Sequence, residues 1–173
     1  METAFVSMIC VALMVIGGMT MARGFLSSVD DTSVNMQEVS QRNEEIMRTN
    51  ISAKAIVQPS ADTLEVHIGN IGQTKLTDFP KWDVIVHHMD DNDTHYVTWL
   101  PYKTAAPGSN EWTVEGIYTA SGQPEVFDPG ILNPDEVMVI EAKIDPGIKS
   151  ESENLVVITA PNGVTVTKSF TGS

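Results

Sequence analysis

The side chains of this sequence that are suited to metal binding are four histidines and one acidic turn. His87 and His88 are adjacent in a run of strand-like residues, so they are expected to point to opposite faces and not to share an ion. His67 and His95 fall in other predicted strands. The turn at 90–93 lacks the central glycine and terminal glutamate of an EF-hand loop, which favours an ordinary solvated turn over a calcium site. We therefore predict neither a metal site nor a bound cofactor.

No arrangement of residues typical of catalysis is visible. The sequence has no Gly-x-Ser-x-Gly elbow, phosphate-binding glycine loop, dinucleotide fingerprint or His-Glu-x-x-His helix. Its acidic residues are spread over predicted turns and outward strand positions, as on a solvated surface. We predict that the protein is not an enzyme and has no catalytic residues.

Two acceptor sequences for N-linked glycans are the remaining candidates for chemistry. They begin at Asn50 (Asn-Ile-Ser) and Asn92 (Asn-Asp-Thr), and the second lies on a predicted exposed turn. The single cysteine, Cys10, lies in an apolar run and has no partner for an intramolecular disulfide. We interpret it as a small hydrophobic residue.

The first segment that positions these residues is an uncharged run from Thr3 to Ala22. Twenty residues of helix rise about 30 Å, close to the hydrocarbon thickness of a bilayer. Such a run must be buried in lipid or in other copies of the chain, or else be removed. The apolar residues that we expect to make these contacts are Phe5, Val6, Ile9, Leu13 and Ile16.

The following segment, up to about Ile51, has no proline and an amphipathic helical period. Two polar residues, Thr32 and Asn43, occupy the missing turns of its apolar stripe. We predict one helix from Glu2 to about Ala53, too long to be covered by one small domain. The stripe consists of Phe25, Val29, Met36, Val39 and Ile46.

Beyond residue 53 the pattern changes to short alternating runs bounded by Gly, Pro, Asn and Asp. Seven or eight such runs, with turn signals such as Pro161-Asn162-Gly163, predict an antiparallel β-sandwich of immunoglobulin-like type. The predicted fold class is α+β. We divide the chain into a hydrophobic and then amphipathic helix at 1–53 and a β head at 54–173.

The charge of the chain is concentrated in the head. The net charge is −13; residues 1–53 carry three Arg against six acids, and residues 54–173 carry seven Lys against seventeen acids. The two parts therefore contribute −3 and −10. A strongly acidic head argues against binding to nucleic acid or to anionic lipid. It also makes neighbouring copies repel, which an apolar contact would have to overcome.

This combination of segments resembles a known family. A long N-terminal helix, apolar first and amphipathic afterwards, followed directly by a β domain, resembles the type IV pilin superfamily. The all-β head resembles the archaellins, the filament subunits of the archaeal swimming organelle. The stretch from Phe127 to Glu136 is similar to the Leu-Asn-Pro-Gly-Glu type turn that precedes a late strand in archaellin-like proteins.

The resemblance implies a structural role in swimming motility. Many copies would form an extracellular helical filament, with the helices as its core and the heads as its sheath. Before assembly the helix would lie in the cytoplasmic membrane. A leader peptidase would process the precursor and an ATPase-driven platform would assemble it. The missing basic segment fits a leader removed just before Met1, and a start codon at Met1 is the other reading. The alternative is a secretory signal cleaved after Thr20-Met21-Ala22.

Two other functions remain open. One is an adhesive type IV pilus subunit, which differs in its machinery only. The other is a membrane-anchored extracytoplasmic binding or stator domain that never polymerises. An anchor needs only the first twenty residues, whereas a filament core needs the amphipathic stripe as well.

Overall fold

The computed structural model describes the backbone of residues 2–173, and the side chains of these residues except 2–4, 29–31 and 33. In this range the chain forms one long helix followed by eight strands and a short 3-10 turn. The elements are α1 (Glu2–Arg48), β1 (Ile51–Ser60), β2 (Thr63–Asn70), the 3-10 turn Phe79–Lys81, β3 (Asp83–Met89), β4 (His95–Leu100), β5 (Glu111–Tyr118), β6 (Val137–Lys143), β7 (Glu153–Thr159) and β8 (Thr165–Thr171).

Two threonine hydroxyl groups of helix α1 are bonded to the helix backbone. The Thr20 hydroxyl donates to the carbonyls of Ile16 at 3.1 Å and Gly17 at 2.9 Å. Likewise, the Thr32 hydroxyl donates to the Ser28 carbonyl at 2.7 Å. Such back-bonding explains how these threonines are accommodated inside a helix that is otherwise strongly apolar in its first half.

The helix ends at Arg48, so the predicted end near Ala53 was about five residues too late. The Thr49 amide still donates to Glu45 and Ile46, but the chain then enters β1, where Ile51 is buried in the core. Burial of this β-branched residue and strand pairing with β2 outweigh another helical turn. The predicted boundary at 53/54 therefore falls inside β1, while the chain divides into compact units at 43/44.

The last helical turn is held by the loop after β2, within the second compact unit. The amide of Gln73 donates to the Arg48 carbonyl at 2.8 Å, and that of Ile71 donates to the Asn50 carbonyl at 2.9 Å. A Cβ at Gly72 would lie 2.5 Å from the Asn50 nitrogen and 2.6 Å from the Arg48 oxygen. Only glycine permits this close approach of two backbone segments.

The eight strands form two antiparallel sheets, in the orders β1-β2-β6-β5 and β4-β3-β7-β8. This order corresponds to the two immunoglobulin sheets, ABED and CFG, with one strand added beside C. The prediction of an α+β chain with an antiparallel immunoglobulin-like sandwich is therefore confirmed. Both sheets contribute to one core, in which Val66 of β2, Val86 of β3, Ile140 of β6 and Ile158 of β7 are fully or almost fully buried.

The three tryptophans of the head differ in position. Trp112 in β5 is completely buried, and Trp82, immediately before β3, is nearly so. The Trp82 indole donates to the Thr77 carbonyl at 3.0 Å. Trp99 instead lies on the outer surface of β4 with 56% of its area exposed.

Hydrogen bonds at two edges of the sandwich join its two sheets. On one side the Lys168 ammonium of β8 donates to the carbonyls of Ala53 and Lys54 in β1, both at 3.0 Å. On the other side the chain after β4 pairs with β5. There the backbone amide of Lys103 donates to the Trp112 carbonyl at 2.7 Å, and the backbone amide of Trp112 donates to the Pro101 carbonyl at 3.0 Å. Such links hinder addition of a foreign strand.

Candidate assembly surfaces

The large hydrophobic side chains that the structure describes in the apolar half of α1 are exposed. The segment Phe5–Ser28 is long and apolar enough to cross a membrane, by criteria that a core helix or a signal sequence also meets, and none of it is buried. The predicted contact residues of this half are between 48% and 67% exposed. They are Phe5, Val6, Ile9, Leu13 and Ile16.

The amphipathic half of α1 is equally uncovered. Phe25, Met36 and Val39 are exposed, whereas the side chain of Val29 lies outside the described residues. Thr32, Met36, Val39 and Asn43 line one shallow groove along the helix. Met36 and Val39 of the predicted stripe thus share one surface with Thr32, whose hydroxyl is already bonded to the backbone.

The outer surfaces of the two sheets differ in chemistry. On the β1-β2-β6-β5 sheet we define the charged face as the outward side chains Glu65, His67, Glu115, Glu141 and Lys143. Glu65 and Glu141 are direct cross-strand partners. Ionic groups therefore occupy adjacent outward positions of this sheet.

On the β4-β3-β7-β8 sheet we define the neutral face as Ile85, Val97, Trp99, Leu155 and Val157. Ile85 is the direct partner of Trp99 on one side and of Val157 on the other. Val97 is 60% exposed and Trp99 is 56% exposed. The indole of Trp99 donates to Asp83 Oδ1 at 2.9 Å, which fixes the ring on the surface. This face is an apolar patch that no element of the described chain covers.

The sequence alone did not identify this face, because nothing in the residue type of Trp99 shows that it lies on the surface. A signal was nevertheless present in β4. In the run His95–Leu100 apolar residues occupy both alternating positions, so whichever set faces inward, the other is left on the surface. Deciding which set faces the core required the register with β3.

The four histidines do not converge on one site. His87 and His88 point to opposite faces as predicted: His87 is half-buried beside the neutral face, and His88 is completely buried. The rings of His87 and His95 have centroids 6.0 Å apart. Among the described residues, no group of three His, Cys, Asp or Glu side chains is arranged to hold a metal ion.

His88 is a buried and incompletely satisfied group. Its Nε2 lies 3.0 Å from the Pro146 carbonyl, and its ring stacks on Tyr96 at 5.4 Å between centroids. No hydrogen-bond partner of Nδ1 is present among the described residues. Burial lowers the pKa of His88, opposed by the bond to Pro146. The imidazole is therefore neutral, with its proton on Nε2, in the folded protein.

In the acidic turn after β3, the carboxylate of the first residue, Asp90, accepts hydrogen bonds from the turn itself. Asp90 Oδ1 accepts the amides of Asn92 at 2.9 Å and Thr94 at 2.8 Å. These bonds, the one from Thr94 first, lower the pKa of Asp90. Asp93 has a positive φ of 61° and forms an ion pair with Lys149. The prediction of a solvated turn needs correction for Asp90, which is buried because it closes the turn.

The two predicted glycan acceptors lie at different places on the head. Asn92 is exposed on the β3–β4 turn, with its amide 3.2 Å from Asp90 Oδ2. Asn50 is exposed between α1 and β1, and its neighbour Ile51 is buried. Both side chains are accessible from solvent.

The connection between β5 and β6 carries the most exposed apolar side chains of the head. We define the apolar tip as Val126 and Phe127, which are 72% and 90% exposed. Glu125 Oε1 accepts the Phe127 amide at 2.6 Å and the Asp128 amide at 3.3 Å, bonds that lower the pKa of Glu125. The carboxylate thereby fixes the backbone that presents the tip.

The segment with the archaellin-like turn has a structural role at its centre. Leu132 is completely buried and exchanges backbone hydrogen bonds with Leu76, at 3.0 and 2.8 Å. The amide of Asn133 donates to Glu136 Oε2 at 2.7 Å. The turn is therefore locked to the domain, while the apolar tip ahead of it is presented to solvent.

Comparison with known proteins gives one family and several related structures. A family model described as archaeal-type flagellin matches residues 3–170. The archaeal flagellum of Methanospirillum hungatei strain JF1 superposes with a TM-score of 0.63 at 13% identity, covering 97% of this chain and 92% of that chain. A comparison with curated protein sequences found no match.

A second kind of structure shares the fold of the head. The archaellum periplasmic stator protein FlaG from Sulfolobus acidocaldarius superposes with a TM-score of 0.52 at 20% identity, covering 70% of this chain and 99% of that chain. The stator complex of FlaF and FlaG from the same organism gives 0.52 at 19% identity, with coverages of 69% and 87%. At these identities the likeness concerns the fold.

Proposed function

Because the chain belongs to the archaeal-type flagellin family, we propose that it is the structural subunit of an extracellular, archaellum-like filament for swimming motility. The observation that carries the proposal is the family match over residues 3–170, which includes both the helix and the head. A long apolar helix with no partner in its own copy supports it. The role requires no catalytic chemistry, so the protein is not an enzyme.

The proposed assembly step is a transfer of α1 from lipid to neighbouring helices. Burial of apolar surface contributes about 25 cal/mol per Å², so the exposed residues of α1 strongly disfavour a free monomer in water. Phe5, Val6, Ile9, Leu13 and Ile16 would contact lipid in the cytoplasmic membrane before assembly. In the filament the same residues would pack against other copies.

The amphipathic stripe would extend the core beyond the thickness of a bilayer. Phe25, Val29, Met36 and Val39 would pack on neighbouring helices, and the acidic heads would form the outer sheath. A leader peptidase and an ATPase-driven platform would act as partners before and during assembly. Asn50 and Asn92 are the proposed glycan acceptors on the sheath.

A second function has a specific observation in its favour. The stator protein FlaG is covered over 99% of its solved chain, and the matched part is about the size of our head. A membrane-anchored extracytoplasmic domain of this kind would need α1 only as an anchor. An adhesive pilus subunit, the remaining alternative, would share the polymer but lack the rotating machine.

The first experiment is electron microscopy of material sheared from producing cells, with mass spectrometry of its main band. We expect filaments composed mainly of this chain. Cells that swim only when the chain is present would assign the filament to motility, whereas filaments without loss of swimming on deletion would favour adhesion. Protein recovered only as a membrane-bound monomer would overturn the filament proposal in favour of the anchored domain.

The amphipathic stripe provides the matched mutational test. Val39→Asp places a charge on the stripe and should abolish filaments, because the carboxylate would have to be buried between helices. Membrane insertion should persist, since position 39 lies beyond the segment Phe5–Ser28. Val29→Asp should behave in the same way. Gln41→Asp, on the opposite side of α1, is the control and should still form filaments.

A further inference from the structure

The apolar contacts available to the head are few. Of the described head residues, the large hydrophobic side chains with substantial exposure are Val57, Ile71, Val97, Trp99, Val126 and Phe127. Val97 and Trp99 belong to the neutral face, and Val126 and Phe127 form the apolar tip. The remaining two are separate single residues, which need no special explanation on a protein surface.

We propose that the apolar tip of one copy docks on the neutral face of the next copy, and that this contact joins the heads in the sheath. The proposal deepens the proposed function, because it rests on the chain forming a filament. Tip and face lie at different places on the same head. A contact between different patches is heterologous, and heterologous contacts generate rings or open helical polymers rather than closed pairs.

Charge favours a second copy as the occupant of the neutral face. The head carries a net charge of −10 from seven Lys and seventeen acidic residues, so two heads repel over most of their surfaces. A basic partner would be attracted to the acidic remainder of the head rather than to an uncharged patch. Contact between copies requires a place with few free carboxylates, and the neutral face provides it, because the Asp83 carboxylate at its edge already accepts the Trp99 indole.

The flanking groups of tip and face are also complementary. The tip lies between the carboxylates of Glu125 and Asp128. Beside the neutral face, His87 and His95 line a common depression with Ser169 and Thr171 of β8, and Glu153 is the one carboxylate in its lining. Imidazole and hydroxyl groups can donate hydrogen bonds to carboxylates. Docking of the tip would therefore bring acceptors toward donors.

The size of the contact suits a polymer better than a free dimer. A buried aromatic residue removes about 150–250 Å² from water, so Phe127 and Trp99 with their valine neighbours offer only several hundred Å². Stable complexes in solution usually bury about 1,200–2,000 Å² in total. In a filament the helices hold the heads together, and a high effective concentration makes such a small contact sufficient.

The edges of the sandwich do not offer an alternative site of comparable quality. Lys168 joins β8 to the carbonyls of β1, and the chain after β4 pairs with β5. Strand addition would have to displace these bonds. Docking on the neutral face requires no such rearrangement, because its side chains are already exposed and Trp99 is fixed by Asp83.

Cysteine cross-linking of assembled filaments tests the proposal. In a Cys10→Ala background, which removes the single native thiol, we compare Val97→Cys, Phe127→Cys and the double variant. After mild oxidation, non-reducing denaturing gels should show a ladder of dimers, trimers and longer products for the double variant alone. The cross-linked fraction should exceed that of either single variant by about tenfold or more.

Mixed filaments test whether the contact joins the tip of one copy to the neutral face of another. Subunits with Val97→Cys and subunits with Phe127→Cys, assembled together, should give dimers and nothing longer, because each copy then carries one thiol. A control pair that replaces Phe127→Cys by Val57→Cys, on the other sheet, should remain monomeric.

Three results would overturn the proposal. Intact filaments of the double variant without cross-links would show that tip and face do not meet. Dimers from Val97→Cys alone would show a face-to-face contact, and cross-linking to a different protein would assign the face to another partner. Absence of filaments from the unmodified chain is a separate result, which would count against the proposed function itself.

Discussion

The two sheets of the head have the same number of strands and share one core, yet their outer faces differ. The charged face exposes Glu65, Glu115, Glu141 and Lys143, whereas the neutral face exposes Val97 and Trp99 beside Ile85, Leu155 and Val157. The inward positions of both sheets are mostly apolar, with His88 and Asn154 as polar exceptions in the second sheet. The difference teaches that folding constrains the inner faces, while solubility and association separately constrain the outer ones.

The same contrast applies to the exposed apolar surface of the whole chain. In α1 it covers all sides of the first half, as expected for contact with lipid and then with several neighbours. In the head it is concentrated on one face and one tip, apart from the single residues Val57 and Ile71. A domain with net charge −10 can remain soluble with two such patches, whereas α1 requires a continuous apolar environment.

The largest expected effect comes from placing charge on the neutral face. Trp99→Asp should prevent formation of an ordered filament sheath, because the new carboxylate would be buried against the apolar tip of the next copy. Electron microscopy would show absent or irregular filaments. Val57→Asp, at an outward position beside Glu65, is the matched control.

If Trp99→Asp and Val57→Asp formed filaments equally well, the proposed difference between the two faces in assembly would be contradicted. Folding of each variant is checked by circular dichroism of the full chain in detergent. The aspartate replaces an outward side chain in both cases, so we expect the head to remain folded.

An intermediate effect is expected from pH, through His88 beneath the neutral face. Its folded-state pKa lies below the unfolded value of about 6.5 because the ring is buried. The unfolded chain therefore binds more protons between the two pKa values. Stability is fully present above about pH 6.5 and is lost as the pH falls toward the folded-state pKa.

Thermal unfolding of the full chain in detergent between pH 8 and pH 5 measures this effect. His88→Gln keeps a donor for the Pro146 carbonyl but cannot be protonated, so its unfolding temperature should decline less over the same range. An identical decline in both proteins would remove His88 as the cause. Asp90 and His95, the charged or titratable groups acting on His88, remain unchanged in the comparison.

The smallest effect is expected on the charged face. Glu65 and Glu141 are direct cross-strand partners, and like charges in this relation destabilise a sheet by about 0.2–1 kcal/mol. Glu141→Gln should raise the free energy of unfolding by that amount at low salt, and by less at high salt. Filament formation should be unaffected. A loss of filaments in this variant would show that the charged face, too, takes part in assembly.

Much of the fold could be predicted because the signals are local. Residue spacing at a period of 3.6 identified α1, and Gly, Pro, Asn and Asp marked the turns between strands. The short alternating runs beyond residue 53 correctly indicated an antiparallel sandwich. The end of α1 was misplaced because it depends on contacts that no local sequence pattern contains. Ile51 enters the core, and the backbone amides of Ile71 and Gln73, which lie farther along the chain, donate to the carbonyls of Asn50 and Arg48.

The candidate assembly surfaces, like the fold, were predictable from the sequence only in part. Residues such as Phe5 and Val39 are identifiable from sequence, since a helix fixes which positions share a side. The neutral face and the apolar tip were not identified, because Trp99 and Phe127 are ordinary hydrophobic residues by type. Their exposure follows from the strand register and from the bonds that Glu125 makes to the loop backbone.

The sequence by itself thus determined an apolar and then amphipathic helix, an acidic antiparallel head and the concentration of charge in that head. These properties follow from composition and from short-range periodicity. Only the tertiary structure decided which strands share a sheet, where the helix stops and which apolar residues remain on the surface. The physical reason is that burial depends on pairing between residues far apart in the chain, such as Ile85 with Trp99 and Val157, and local patterns do not contain that pairing.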